Sequence, residues 1–83
     1  MEEQAGVVFQ FFVKPMVAAI STEVDIKKGD KVHFLGATTD FVQKLESMQI
    51  DLKPVEEVAA GKQVGIKVKE RVRPGDKMLL IRT

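Results

Sequence analysis

The stretch that decides the fold is A-A-G-K-Q-V-G-I-K-V-K, Ala59 to Lys69, in which a glycine-containing corner leads into a strongly alternating segment. Gly61 ends a turn and can take the positive φ that such a corner needs. Gly65 lies inside the strand pattern, where a missing side chain leaves room for a neighbouring backbone or for a bulge. Two glycines placed in this way predict the tight curvature of a small β-barrel.

The segments on either side of this stretch also predict strands joined by turns. The predicted strands are Val7 to Val13, Met16 to Ile20, Lys31 to Leu35, Phe41 to Leu52, Gln63 to Val72 and Met78 to Ile81. Apolar residues occupy both faces of the first strand, so we expect it to be largely buried. The fourth strand changes the parity of its apolar residues, and a bulge near Glu46 and Ser47 would reconcile its two halves. Pro54 to Ala60 is compatible with one helical turn that begins at the proline.

Length and composition limit the remaining possibilities. The 83 residues allow a single domain over residues 1–83, and 45% hydrophobic with 30% charged residues is typical of a globular chain. A net charge of +1 gives no overall attraction to nucleic acid or membrane. The absence of cysteine favours a reducing compartment, and no apolar run reaches the ~20 residues of a membrane span. We therefore predict an all-β protein, a small closed six-stranded antiparallel β-barrel, located in the cytoplasm without membrane contact.

Three further motifs accompany the opening stretch, whose string small-x-G-x-x-V-G-hydrophobic-x-V resembles the second domain of elongation factor Tu and related translational GTPases. The other motifs similar to that family are D-I-K-K-G-D-K-V-H-F-L-G (Asp25 to Gly36), V-Q-K-L-E-S-M-Q-I (Val42 to Ile50) and R-P-G-D-K-M (Arg73 to Met78). The resemblance implies a stand-alone, translation elongation factor-like β-barrel. Because the family's domain contacts the acceptor end of aminoacyl-tRNA, the resemblance also implies RNA or the translation machinery as a partner.

Catalytic chemistry lacks its usual residues in this sequence. There is no G-x-x-x-x-G-K-[ST] phosphate loop, so we expect the chain neither to bind nor to hydrolyse GTP. Without cysteine, and with His33 as the single histidine, the residues for a metal site or an activated nucleophile are missing. Alternation places His33 on the face opposite Val32 and Phe34, where an exposed strand residue is a better interpretation than a ligand or a base. We predict a protein that is not an enzyme and has no catalytic residues, cofactor or metal.

A series of four cations at two-residue spacing is the one local electrostatic feature. This cation series is Lys67, Lys69, Arg71 and Arg73. On a strand these side chains would project from one face over some 20 Å. One interpretation is a solvated edge that discourages pairing with other chains. The other is contact with RNA phosphates, which makes the four residues the candidate RNA-binding site of a non-catalytic module.

A second function is compatible with the same barrel. In this alternative the domain is a protein-docking module of a larger enzyme or ribosomal complex and makes no RNA contact. Its contact surface would use exposed apolar residues such as Phe12, Leu35 or Phe41. The sequence alone leaves both alternatives open.

Overall fold

The computed structural model describes residues 2–82, which form ten β-strands and no helix. The strands are β1 (Glu2–Phe12), β2 (Val17–Thr22), β3 (Ile26–Lys27), β4 (Lys31–Leu35), β5 (Asp40–Lys44), β6 (Met48–Ile50), β7 (Lys53–Val55), β8 (Glu57–Val58), β9 (Gln63–Lys67) and β10 (Lys77–Ile81). The all-β prediction is confirmed. Residues 2–82 contain no helix that could span a membrane.

Eight of these strands form one antiparallel sheet in the order β5-β4-β10-β1-β2-β9-β6-β7, and β3 pairs separately with β8. Because this order ends at β5 and β7, the sheet is not closed, and the predicted closed six-stranded barrel is wrong. A side chain bridges the space between β5 and the chain that follows β9. Gln43 Nε2 donates to the Lys67 carbonyl at 2.9 Å, and the Lys69 amide donates to Gln43 Oε1 at 2.9 Å. A side-chain amide therefore joins the two segments where a closed barrel would have a backbone ladder.

Strand β1 joins the two halves of the sheet, since it pairs with β10 on one side and with β2 on the other. Its register shifts twice, between Gln4 and Gly6 against β10 and between Val8 and Gln10 against β2. Each shift adds an unpaired residue that bends the strand. Phe9 is the added residue of the second shift and is 45% exposed. The expectation that this strand is largely buried is therefore wrong for its second half.

The inward side chains of the strands form a single hydrophobic core. Its buried members are Ala5, Val8, Ala18, Ile20, Ile26, Val32, Phe34, Phe41, Leu45, Met48, Val58, Val64, Ile66, Val68, Val72, Met78 and Leu80. Phe34 and Phe41 are cross-strand partners whose rings stack with centroids 5.2 Å apart, a pairing that stabilises adjacent strands. Phe41 is therefore buried, and the prediction that it is exposed for docking is wrong. Leu35, on the opposite face of β4, is 39% exposed.

The predicted strand from Phe41 to Leu52 is two strands, β5 and β6, separated at residues 45–47. Leu45 and Met48 are both buried although their positions differ in parity. The break in the strand between these two residues changes which parity faces the core, as the predicted bulge would have done.

The helical turn predicted at Pro54 to Ala60 is absent and is replaced by parts of two strands. Val55 pairs with Met48 on β6, and Val58 pairs with Ile26 on β3. A segment this short gains too few helical hydrogen bonds to offset the cost of nucleating a helix, so strand pairing prevails.

A buried carboxylate connects two turns at one end of the sheet. Asp76 is 6% exposed, and its Oδ2 accepts hydrogen bonds from Thr39 Oγ1 at 2.5 Å and from the Arg73 amide at 2.8 Å. Gly36 lies so close to this carboxylate that a Cβ at that position would overlap it. The Asp76 carbonyl also accepts the amide of Val8 at 2.8 Å. Asp76 thus links the β4–β5 turn and the approach to β10 with the central strand.

We expect Asp76→Ala to lower the free energy of unfolding by about 2–3 kcal/mol, because two donors lose a charged acceptor inside the protein. Urea denaturation followed by far-ultraviolet circular dichroism measures this change. Glu46→Ala is the matched control, since Glu46 is exposed between β5 and β6 and its loss should change the stability by less than about 0.5 kcal/mol. Equal denaturation midpoints for the two variants would contradict the structural role of Asp76.

Candidate docking groove

A shallow groove of about 510 Å³ crosses the outer face of β1, β2, β9 and β6. Its lining residues are Phe9, Phe12, Pro15, Val17, Ala19, Gln49, Asp51, Leu52, Gln63, Val64 and Gly65. The floor contains Ala19 of β2 and Gly65 of β9, which are direct cross-strand partners. The two outer strands are three strand spacings apart, about 14 Å. Because the floor residues have at most a methyl group, the larger side chains on the outer strands form walls.

The two glycines of the opening stretch have different roles in the structure. Gly61 has a φ of 83°, as the predicted corner requires. A Cβ at Gly65 would lie 3.2 Å from Val17 Cγ1 and 3.8 Å from the Gln49 carbonyl oxygen. The nearest neighbour of Gly65 is therefore a side chain, and the β2–β9 register runs through this position without a bulge. The missing side chain leaves space in the groove.

The walls of the groove expose large apolar side chains to solvent. Phe9 and Phe12 on β1 are 45% and 43% exposed, and Leu52 on the far side is 91% exposed. Isolated exposed apolar residues are ordinary on protein surfaces, whereas a contiguous group beside a groove is typical of a binding surface.

Leu52 also has an unfavourable backbone conformation. Asp51 and Leu52 connect β6 to β7 between the paired residues Ile50 and Lys53, and their φ angles are 52° and 65°. Two central residues with positive φ are typical of a type I′ hairpin turn, which prefers Asp-Gly or Asn-Gly. A leucine in the left-handed region costs about 1–2 kcal/mol relative to its right-handed conformation. Folding alone does not explain a strained, fully exposed leucine at this position.

The polar groups of the groove are few and lack intramolecular partners. Within residues 2–82, the side-chain amides of Gln49 and Gln63 make no hydrogen bond. Asp51 is the single charged residue of the lining. The groove therefore combines apolar walls, two free amides and one negative charge. The sequence prediction of docking residues included Phe12, but it missed Phe9 and Leu52.

The cation series does not form a strand. Strand β9 ends at Lys67, because the Lys69 amide is bonded to the Gln43 side chain instead of to a neighbouring strand. The alternation of burial continues, with Val68 and Val72 buried. All four cations are exposed, namely Lys67, Lys69, Arg71 and Arg73. The prediction of a strand through Val72 is wrong, and no observation of the structure tests RNA contact by these residues, which stays a prediction.

His33 is held between two carboxylates. Its Nε2 lies 2.5 Å from Asp40 Oδ1 and its Nδ1 lies 3.0 Å from Glu2 Oε2. Hydrogen bonds that the protonated ring donates to Asp40 and, with a smaller effect, to Glu2 raise the pKa of His33 above its ordinary 6.5. The side chain lies on the face opposite Val32 and Phe34, as predicted, and it is 17% exposed, so it is less exposed than the sequence suggested. With both nitrogens engaged, His33 is poorly suited to bind metal, and residues 2–82 contain no metal-binding cluster of three or more histidine, cysteine or acidic side chains.

The raised pKa of His33 predicts a pH-dependent stability. Protonated His33 favours the folded state, so its contribution is fully present below pH 6.5 and is lost as the pH rises through the higher pKa of the folded state. The urea midpoint, measured from mildly acidic to alkaline pH, should therefore fall across this window. His33→Gln is the control and should lack this component. If both proteins show the same pH dependence, the two ion pairs do not contribute as described.

The comparisons with known proteins point to peptidases. No protein-family model matches the sequence. The chain is 39% identical over 80 residues to an uncharacterized protease of Methanocaldococcus jannaschii, a match that covers 95% of this chain and 20% of that protein. It is 35% identical over 71 residues to a collagenase of Porphyromonas gingivalis, covering 83% of this chain and 20% of the collagenase. The chain thus spans about a fifth of the length of the curated relatives it matches.

Two solved structures have the same fold. Both are the C-terminal domain of a Geobacillus thermoleovorans protein named as a U32 peptidase. The first has a TM-score of 0.89 at 23% identity and covers 96% of this chain and 93% of that chain. The second, a selenomethionine variant, has a TM-score of 0.87 at 25% identity and covers 92% of this chain and 96% of that chain.

These findings correct the interpretation of the sequence. The inferred kinship with elongation factors is wrong, because the relatives and the matching structures are peptidase proteins. The predicted function as a translation-related binding module is wrong for the same reason. The chain is instead similar to a segment of a protease and of a collagenase, and it shares its fold with the C-terminal domain of a protein named as a U32 peptidase.

Proposed function

We propose that this chain is a non-catalytic accessory domain of a U32-type peptidase and that it acts beside a separate catalytic unit. The observation that carries the proposal is the extent of the match, since nearly the whole chain aligns with about one fifth of two proteins named as a protease and a collagenase. Four fifths of each relative therefore lie outside the matched segment and can supply the catalytic residues.

The chemistry of the described residues supports a non-catalytic role. The sequence has no cysteine, and both nitrogens of its single histidine are bound to carboxylates. A serine or threonine nucleophile needs a nearby base with a free nitrogen or oxygen, and His33 does not offer one. We also propose a cytoplasmic location, which the absence of cysteine supports.

A chimera of the Porphyromonas gingivalis collagenase tests the proposal. One variant lacks the segment that matches this chain, and a second carries the present chain in its place. We expect the deletion to lower the rate of collagen cleavage by at least about tenfold, equivalent to 1.4 kcal/mol, and the chimera to recover most of the loss. An unrelated β-domain of similar length in the same position is the control and should not restore cleavage.

Two results would contradict the proposal. One is a folded chimera that cleaves collagen no faster than the deletion variant. The other is collagen cleavage by the isolated chain, which would place a catalytic site within it.

A further inference from the structure

We propose that the docking groove binds an extended, apolar segment of polypeptide that carries a basic residue at the end nearest Asp51. The choice of polypeptide as the ligand rests on the proposed function in a peptidase. The location of the binding site rests on the groove itself.

The shape of the groove suits an extended chain. Its floor is two strands wide, it lies between walls about 14 Å apart, and its volume of about 510 Å³ is within the 300–1,000 Å³ of ordinary ligand pockets. An extended peptide directs alternate side chains to opposite faces, so one set would enter the space above Ala19 and Gly65. Phe9, Phe12 and Leu52 would then contact those side chains from both walls.

The polar groups of the groove favour a peptide over other apolar ligands. A bound peptide has backbone N–H and C=O groups that must keep hydrogen-bond partners when they leave water. Gln49 and Gln63 each present an amide with donors and an acceptor, and neither amide is used within residues 2–82. A nucleic acid would need cations, whereas the one charged lining residue is Asp51. This carboxylate is complementary to a lysine or arginine at its end of the groove.

The position of the groove leaves it accessible to a ligand in a longer protein. Glu2 pairs with Ile81, so a chain that continued beyond either residue would leave from the same end of β1. Phe9 lies seven residues farther along this strand, at about 3.4 Å per residue, so the Phe9 wall of the groove is about 20 Å from that end. A neighbouring unit attached there would not need to cover the groove.

Because the backbone at Leu52 is strained, a replacement at this position gives the most informative variant. Leu52→Gly removes a wall of the groove and also gives the turn the Asp-Gly pair that its positive φ angles prefer. We therefore expect this variant to unfold at a urea concentration equal to or higher than that of the wild-type chain. A loss of peptide binding in this variant would then result from the missing side chain and not from damage to the fold.

The test is fluorescence anisotropy with a labelled synthetic peptide of the sequence Lys-Leu-Thr-Phe-Leu-Thr. The wild-type chain should bind it, and Leu52→Gly should weaken binding by at least about tenfold, or 1.4 kcal/mol. Leu35→Ser is the matched control, because Leu35 is an exposed apolar residue outside the groove and its replacement should leave the affinity unchanged. A peptide with glutamate in place of lysine should bind more weakly, and Asp51→Asn should remove this difference.

Each alternative outcome has a definite meaning. No binding by the wild-type chain, or equal weakening by Leu52→Gly and Leu35→Ser, overturns the groove as a peptide site. With either result, the collagenase chimera remains an independent test of the accessory role. Binding that follows the expected pattern, together with a folded but inactive chimera, overturns the accessory role and retains the groove. Equal affinity for the lysine and glutamate peptides overturns the role of Asp51.

Discussion

The extra residue in strand β1, Phe9, determines which side chains of this central strand face the core and which face the solvent. Before it, Val8 faces the core and pairs with Ile20. After it, Phe12 pairs with Val17 and is exposed on the outer face. Because side chains alternate along a strand, one added residue reverses the parity of everything that follows. The core on one side of β1 and the groove on the other therefore depend on the same local irregularity.

The strands of this fold were largely predictable, because alternation and turn residues are local properties. Closure of the sheet was not predictable, because it depends on whether β5 pairs with the segment that follows β9. Here the Lys69 amide donates to the Gln43 side chain, and the strand expected to continue through Val72 ends at Lys67. The inferred kinship was wrong for a related reason. A turn followed by an alternating strand satisfies general rules of β-structure, and such patterns recur in domains with unrelated functions.

The groove could be predicted only in part. Phe12 was recognisable as an exposed apolar residue, but V-V-F-Q-F-F-V is apolar at both parities, so the sequence did not indicate which phenylalanine faces outward. The signal for Leu52 was present in I-D-L-K, where two residues separate the paired Ile50 and Lys53. Recognising it required that register, which follows from the tertiary fold. The ion pairs of His33 were also not indicated, since Glu2 comes from a strand distant in sequence and Asp40, although it lies on the next strand, is placed by the pairing of β4 with β5.

The pairing of Glu2 with Ile81 has a mechanical consequence. These residues lie at the same end of adjacent antiparallel strands, so a pulling force applied to both would separate β1 from β10 in an unzipping geometry. The hydrogen-bonded pairs of an antiparallel ladder would then bear the load one after another, beginning with those nearest the applied force. Resistance would be low and would be spread over successive small steps. The β1–β2 hairpin that carries Phe12 lies at the far end of this path and would remain paired while the first rungs open.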